Sequence, residues 1–389
     1  MIFVNKPVPL VSTYQHDISI KTQPAEILTS GMYCLNDYLP NERVWYCMFT
    51  TERSFKVYDI RELLGEEYFH QVLNKELSIV LDLSFEPFLH AVDSIYLDVV
   101  KKHGIPTSQV IFASNMYDAE AYNLNVAKSL NLDPIKTVWI PTLELMMRDN
   151  LISEKSGPAP NTLQLKTYQK KFLNFNRRWR QHRPLMVLLL RYYGLLDKGF
   201  VSFGPCEGHG DWNSIWDGLK VSAIGNEEML NAVLNSEDIK QMEPLYLDID
   251  LAVNQVDPVE STNYYYENTY FSVVSETTFY YSDLLHNSRF LTEKIFKPIL
   301  HKHPFLIVSI PKSLEVLKKL GYKTFSPYID ESYDQEMDDN KRMMMIIKEI
   351  ERLCTLSDTD LELFLIESRK ICEFNYNVLK NKTKFIIEQ

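Results

Sequence analysis

Short apolar runs alternate with stretches of helical spacing over the first half of the chain. Val44-Trp45-Tyr46-Cys47-Met48-Phe49 and Leu77-Ser78-Ile79-Val80-Leu81-Asp82-Leu83 are nearly continuous apolar runs, the pattern of strands buried on both faces. From Phe88 to His103 the apolar positions Leu89, Val92, Ile95 and Val99 recur at helical spacing. That helix is predicted to end at Lys101-Lys102-His103-Gly104, basic residues and a glycine where a helix C-terminus favours them. Gln109–Ala113 reads as a strand, Ala119–Leu130 as a helix and Thr137–Ile140 as a further strand. Strands separated by helices imply a parallel sheet with helical cover.

The second half repeats the alternation. Strands are predicted at Lys171–Phe175, Phe200–Phe203, Tyr270–Ser275, Phe305–Val308 and Lys323–Phe325, and helices at Pro184–Tyr193, Glu293–His301 and Lys312–Leu320, the last closed by Gly321. A Gly-, Asn- and Asp-rich stretch reaching to about residue 265 reads as irregular. Between the halves, Asn150–Leu163 turns polar and carries Ser-Gly-Pro-Ala-Pro, the composition of an exposed connection. The expected division is therefore an N-terminal domain over 1–165 and a C-terminal domain over 166–389. The expected fold is α/β, with two Rossmann-like domains and a cleft between them.

Composition narrows the function classes. With 389 residues, 45% hydrophobic and 24% charged, the chain has enough apolar material for two cores. The first eleven residues lack the apolar run of a signal peptide, and Leu185–Leu190 falls well short of the ~20 residues that span a bilayer. A cytoplasmic protein without a membrane span is expected, in the host cytoplasm if the chain is viral. The five cysteines are scattered and form no CxxC pair, so they read as reduced thiols. A net charge of −11 disfavours a surface built to clamp nucleic acid, although a local basic groove is compatible with it.

The candidate chemistry centres on Thr292-Glu293-Lys294-Ile295-Phe296-Lys297-Pro298. Thr292 suits the N-cap of a helix whose Ile295, Phe296 and Ile299 face a sheet. Such a terminus offers free backbone N–H groups to an anion, and Lys294 adds positive charge. Taken alone, the segment reads equally as a solvated, charged first turn. Its context favours a ligand, because the preceding strand Phe271–Ser275 runs into Glu276-Thr277-Thr278, and open α/β sheets bind ligands beyond the carboxyl ends of their strands. A second element is Asn174-Phe175-Asn176-Arg177-Arg178-Trp179-Arg180-Gln181-His182-Arg183-Pro184, where a strand hands over to a helix. Its arginines suit phosphate oxygens or, in the alternative, form a basic surface turn or a nucleic-acid contact.

From Tyr270 to Phe325 the order YFSVVSET, a variable loop, FLTEKIFKPILHKHPFLIV and LGYKTF resembles the C-terminal nucleotide-binding domain of fucosyltransferase-like GT-B glycosyltransferases, including relatives encoded by phages and large viruses. The resemblance implies Glu293 on the ribose and Lys294 on the phosphate, with Glu276 as the strand-end glutamate. It also implies Asn176 and Arg183 beside the donor diphosphate, with Arg177 alongside. The expected activity is inverting, metal-independent transfer of a sugar from a GDP- or UDP-sugar to an acceptor hydroxyl, with no other cofactor.

An inverting transfer needs a carboxylate base at the acceptor. Glu86, after the strand ending near Leu83, is the candidate, with Asp82 and Asp118 as rivals; a plain helix-start acid before Pro87 is the alternative reading of Glu86. The acceptor classes are a glycan, a protein or hydroxymethylated DNA, the last permitted by the basic turn. A catalytically inactive binding module for sugar nucleotides or glycans is the remaining alternative. Asp248-Ile249-Asp250 lies in the wrong half for a GT-A metal motif. His301 and His303 lack zinc-helix spacing and are expected to cap their helix or lie exposed. Cys206 and His209 lack a third partner for nucleophilic catalysis.

Overall fold

The computed structural model describes residues 2–3, 43–48, 59–84, 91–152, 168–176, 180–203, 212–235, 263–281 and 288–381. The chain forms two compact units, Met1–Met146 with Leu284–Phe290 and Thr383–Glu388, and Met147–Asp283 with Leu291–Lys382 and Gln389. The division drawn at 165/166 falls outside the described residues. Among those described, no helix is long and apolar enough to cross a membrane.

The first unit holds a parallel sheet of strands β1 (Ile2–Phe3), β2 (Arg43–Met48), β3 (Ser78–Asp82), β4 (Val110–Ser114) and β5 (Lys136–Trp139), in that order. Every described side chain of β3 and β4 is buried, as their unbroken apolar runs require. The register pairs Val80 with both Tyr46 and Ile111. The helix predicted from Phe88 appears as Ala91–Ser94 followed by a wider π-helical stretch, Ile95–Lys101, and the chain turns at Gly104 with φ of 69°. Helix Ala119–Leu130 matches its predicted span and is closed by left-handed Asn131. Helix Ile60–Leu73 is the helix expected between the first two strands; its apolar positions Ile60, Leu64, Phe69 and Val72 face the core, and Gly65 breaks their spacing at φ 72°.

The second unit is a parallel sheet in the order β7 (Gly199–Val201), β6 (Lys170–Asn174), β8 (Thr269–Ser275), β9 (Phe305–Val308). All four strands point the same way, but successive strands are added outward from β6 to β7 on one side and from β8 to β9 on the other. The order therefore reverses between β6 and β8, and a crevice opens beyond their carboxyl ends at such a reversal. Gly199 is needed where β7 passes β6, because a Cβ there would lie 2.5 Å from the Phe172 ring.

Two expectations are corrected in this unit. The stretch read as irregular contains helices Trp212–Ser222, Glu227–Leu234 and Asn263–Glu267. In the second of these, Asn226 caps the Met229 N–H and buries Met229, Ala232 and Val233, so a local cap and three core residues outweigh the polar composition. Lys323–Phe325 is not a strand; the Lys323 N–H and C=O both bond to the side chain of Asn375 instead of to a ladder. The C-terminal helices Asp339–Thr355 and Asp358–Asn381 complete the unit.

Candidate functional site

The crevice between β6 and β8 is built from the residues that end those strands. Asn174, at the end of β6, donates from Nδ2 to the Val273 carbonyl at 2.7 Å and to Ser275 Oγ at 3.1 Å, tying the two strands together where their crossovers part. Its Oδ1 accepts from Asn176 Nδ2 at 2.5 Å, and the Asn176 N–H donates to Ser202 Oγ at 3.0 Å. Asn176 is 1% exposed, and its Oδ1 has no hydrogen-bond donor among the described residues. A buried acceptor costs stability unless some donor reaches it.

On the β8 side, the Glu276 N–H bonds to the Val308 carbonyl of β9, which fixes the residue just past the strand end. Its carboxylate is fully buried and accepts from Thr292 N–H at 3.2 Å and Thr292 Oγ1 at 2.5 Å. Thr292 in turn is the N-cap of helix Glu293–Leu300, its Oγ1 accepting from Lys294 N–H at 3.3 Å. Burial pushes the Glu276 carboxyl upward, opposed by the nearby Lys294 charge and the Thr292 hydrogen bonds. Glu276 thus locks the start of the helix onto the end of the strand.

Lys294 Nζ lies 3.0 Å from Thr292 Oγ1, 3.3 Å from Thr277 Oγ1 and 3.1 Å from Glu293 Oε1. Its side chain is 27% exposed and that of Glu293 is 33% exposed, so both reach solvent from the first turn. Burial raises the Glu293 carboxyl, but the Lys294 and Lys297 charges outweigh it and hold the group below its ordinary value. Lys294 and Lys297 also border a cavity of about 50 Å³ with Phe175, Tyr266 and Ser275. The helix buries Ile295, Phe296 and Ile299, as their spacing predicts.

Arg183 was expected on a diphosphate. It is 2% exposed, and its Nη2 donates to the carbonyls of Ser275 and Glu276 at 3.1 Å each. The neighbouring His182 donates from Nε2 to the same Glu276 carbonyl at 3.1 Å and stacks on Phe279. Burial and the Arg183 charge hold this imidazole neutral, far below its usual range. His182 and Arg183 therefore fasten the end of β8 to the helix His182–Tyr192.

Of the expected donor residues, the structure brings Asn176, Arg183, Glu276, Glu293 and Lys294 to the carboxyl ends of β6 and β8. Arg177 lies outside the described residues, as do Glu86, Asp248, Asp250, Cys206 and His209. The rival carboxylates are both engaged. Asp82 is fully buried and accepts from Tyr46 Oη and the Ser84 N–H, while Asp118 holds Arg289 through the Arg289 N–H and guanidinium. His301 is the C-cap of its helix, as expected, but neither histidine is exposed. His301 stacks on Tyr266 at 3.9 Å, and His303 lies between Ser272 Oγ and the Thr269 carbonyl, 2.8 Å from each. Thr292 was foreseen only as a cap and Asn174 not at all; a polar residue closing an apolar strand was the available signal. No protein-family model and no curated protein matches this chain.

Proposed function

We propose that the chain is a GT-B glycosyltransferase of fucosyltransferase-like type, which holds the diphosphate of a GDP- or UDP-sugar at the start of helix Glu293–Leu300. The observation that carries this reading is the coincidence of the strand-order reversal at β6 and β8 with Lys294 in the first turn of a helix at the same crevice. Backbone N–H groups and an ammonium there stabilise the charge that develops on a nucleoside-diphosphate leaving group. Asn176 Oδ1 is an open acceptor among the described residues, and the doubly esterified diphosphate of a sugar nucleotide has no hydrogen to give it at neutral pH; a ribose or sugar hydroxyl suits it. Glu293 is likewise an acceptor for vicinal hydroxyls. Arg183 and Glu276 act through position, by holding the strand end and the helix start. In this reading the transfer is inverting and needs no metal, and Glu86 takes the acceptor proton.

The test is a thermal-shift and turnover series with GDP-, UDP-, TDP- and CMP-sugars on the whole chain. A stabilising donor is expected, together with its loss in Lys294→Ala and retained binding without turnover in Glu86→Gln. Absence of stabilisation by every donor, with the protein folded, would refute the reading.

A further inference from the structure

The second unit contains a larger cavity that the proposed donor contacts do not use. It measures about 520 Å³ and is lined by Gln181, Ser222, Tyr280, Met337, Asp338, Asp339 and Asn340, within the range of small-molecule sites. Neither Glu293 nor Lys294 borders it. We infer that it is a second binding site, for an uncharged sugar residue, and that it works independently of the donor crevice.

The first argument concerns charge. Asp339 Oδ1 accepts from Arg342 Nη2 at 2.5 Å and from the Tyr281 N–H at 2.9 Å, and Arg342 is 1% exposed, so this carboxylate is neutralised from below. The Asp338 side chain caps the helix Asp339–Thr355 by accepting from the Lys341 N–H at 2.8 Å. That cap occupies the end of the helix where an anion would otherwise sit. Among the described residues the lining contains no cationic side chain. The described lining thus offers a phosphate no cationic partner, and each of its two carboxylates is already held by a donor within the protein.

The second argument concerns hydrogen bonding. Gln181 Nε2 is held by the Gly218 carbonyl and Ser222 Oγ, and Asn340 Nδ2 by the Ile224 carbonyl, which turns the amide oxygens into the groups left for a ligand. Tyr280 contributes its ring to the lining, with its buried Oη beside the Ser222 hydroxyl. Five of the seven described lining residues are Asp, Asn, Gln or Ser, beside one aromatic ring and one thioether. A nucleobase prefers a flat slot between apolar faces. A pyranose, whose hydroxyls both give and accept and whose C–H face rests on an aromatic ring, fits this mixture better.

The experiment uses saturation-transfer NMR and calorimetry on the full chain with methyl glycosides of glucose, galactose, mannose and fucose. Guanosine, uridine and inorganic phosphate are run beside them. At least one glycoside is expected to bind saturably with a Kd of about 1 mM. Tyr280→Leu, which removes the aromatic face, is expected to weaken it about fivefold. Met337→Trp fills the cavity from a side chain that is 44% exposed, so the variant should fold, as circular dichroism will check, and it is expected to abolish binding. Lys294→Ala is expected to leave glycoside binding unchanged, which separates this site from the donor crevice. The inference is overturned if no glycoside binds saturably, if binding survives both cavity variants, or if guanosine or uridine is the ligand that Met337→Trp displaces.

Discussion

Replacing Thr292 by valine keeps the shape of the side chain and removes one oxygen, and the structure assigns that oxygen three partners. It accepts the Lys294 N–H as N-cap, accepts from Lys294 Nζ, and donates to the buried Glu276 carboxylate. Loss of a cap costs about 1 kcal/mol. Leaving one oxygen of a fully buried carboxylate without its donor costs a further ~1–3 kcal/mol. The expected destabilisation of Thr292→Val is therefore roughly 2–4 kcal/mol, whereas Thr292→Ser, which keeps the hydroxyl, should lose well under half of that. Urea unfolding followed by far-UV circular dichroism measures the total. Hydrogen exchange of peptides covering 269–300 locates it. The carboxylate contribution is isolated by repeating the substitution in Glu276→Gln, whose neutral side chain has no ionic charge to leave stranded; there the cost should fall toward that of the cap alone. A loss below about 0.5 kcal/mol in the Thr292→Val protein would show that the lock between strand end and helix start does not carry the load assigned to it.

Other consequences follow from the same contacts. Lys294→Ala should weaken nucleotide-sugar binding at least tenfold by calorimetry while leaving the unfolding midpoint nearly unchanged, since the ammonium sits at a partly exposed helix start. Gly199→Ala drives a methyl group into the Phe172 ring at 2.5 Å and should cost about 1–3 kcal/mol, read as a lowered melting temperature; an unchanged one contradicts the packing of β6 against β7. Burial holds His301 down at about 3 and His303 at about 4. Because both folded values lie below the unfolded value near ~6.5, these groups contribute stability above that pH and lose it as pH falls toward 4, when the unfolded chain takes up their protons first. His301→Phe retains a ring against Tyr266 and should flatten the acid limb of a stability-against-pH curve; an unaltered slope would count against a neutral buried imidazole.

The elements legible in the sequence were those whose pattern arises from local chemistry. Continuous apolar runs marked β3, β4, β8 and β9, and the Thr292 cap with the Ile295, Phe296 and Ile299 face marked the helix that follows β8. Helix Glu227–Leu234 was missed because it is short and lies in a stretch rich in Gly, Asn and Asp, and Lys323–Phe325 was mistaken for a strand because only contact with Asn375 decides its backbone pairing. Site chemistry divides in the same way. The residue types at 176, 183, 276, 293 and 294 were visible as candidates, but strand order is a non-local property, and the reversal at β6 and β8 is what gathers them at one crevice. Burial then separated their roles: Arg183 places Nη2 on backbone carbonyls and Glu276 its carboxylate on Thr292, while Lys294 and Glu293 keep access to solvent. Periodicity and caps are written in neighbouring residues, whereas which charged group faces a ligand depends on partners a hundred residues away.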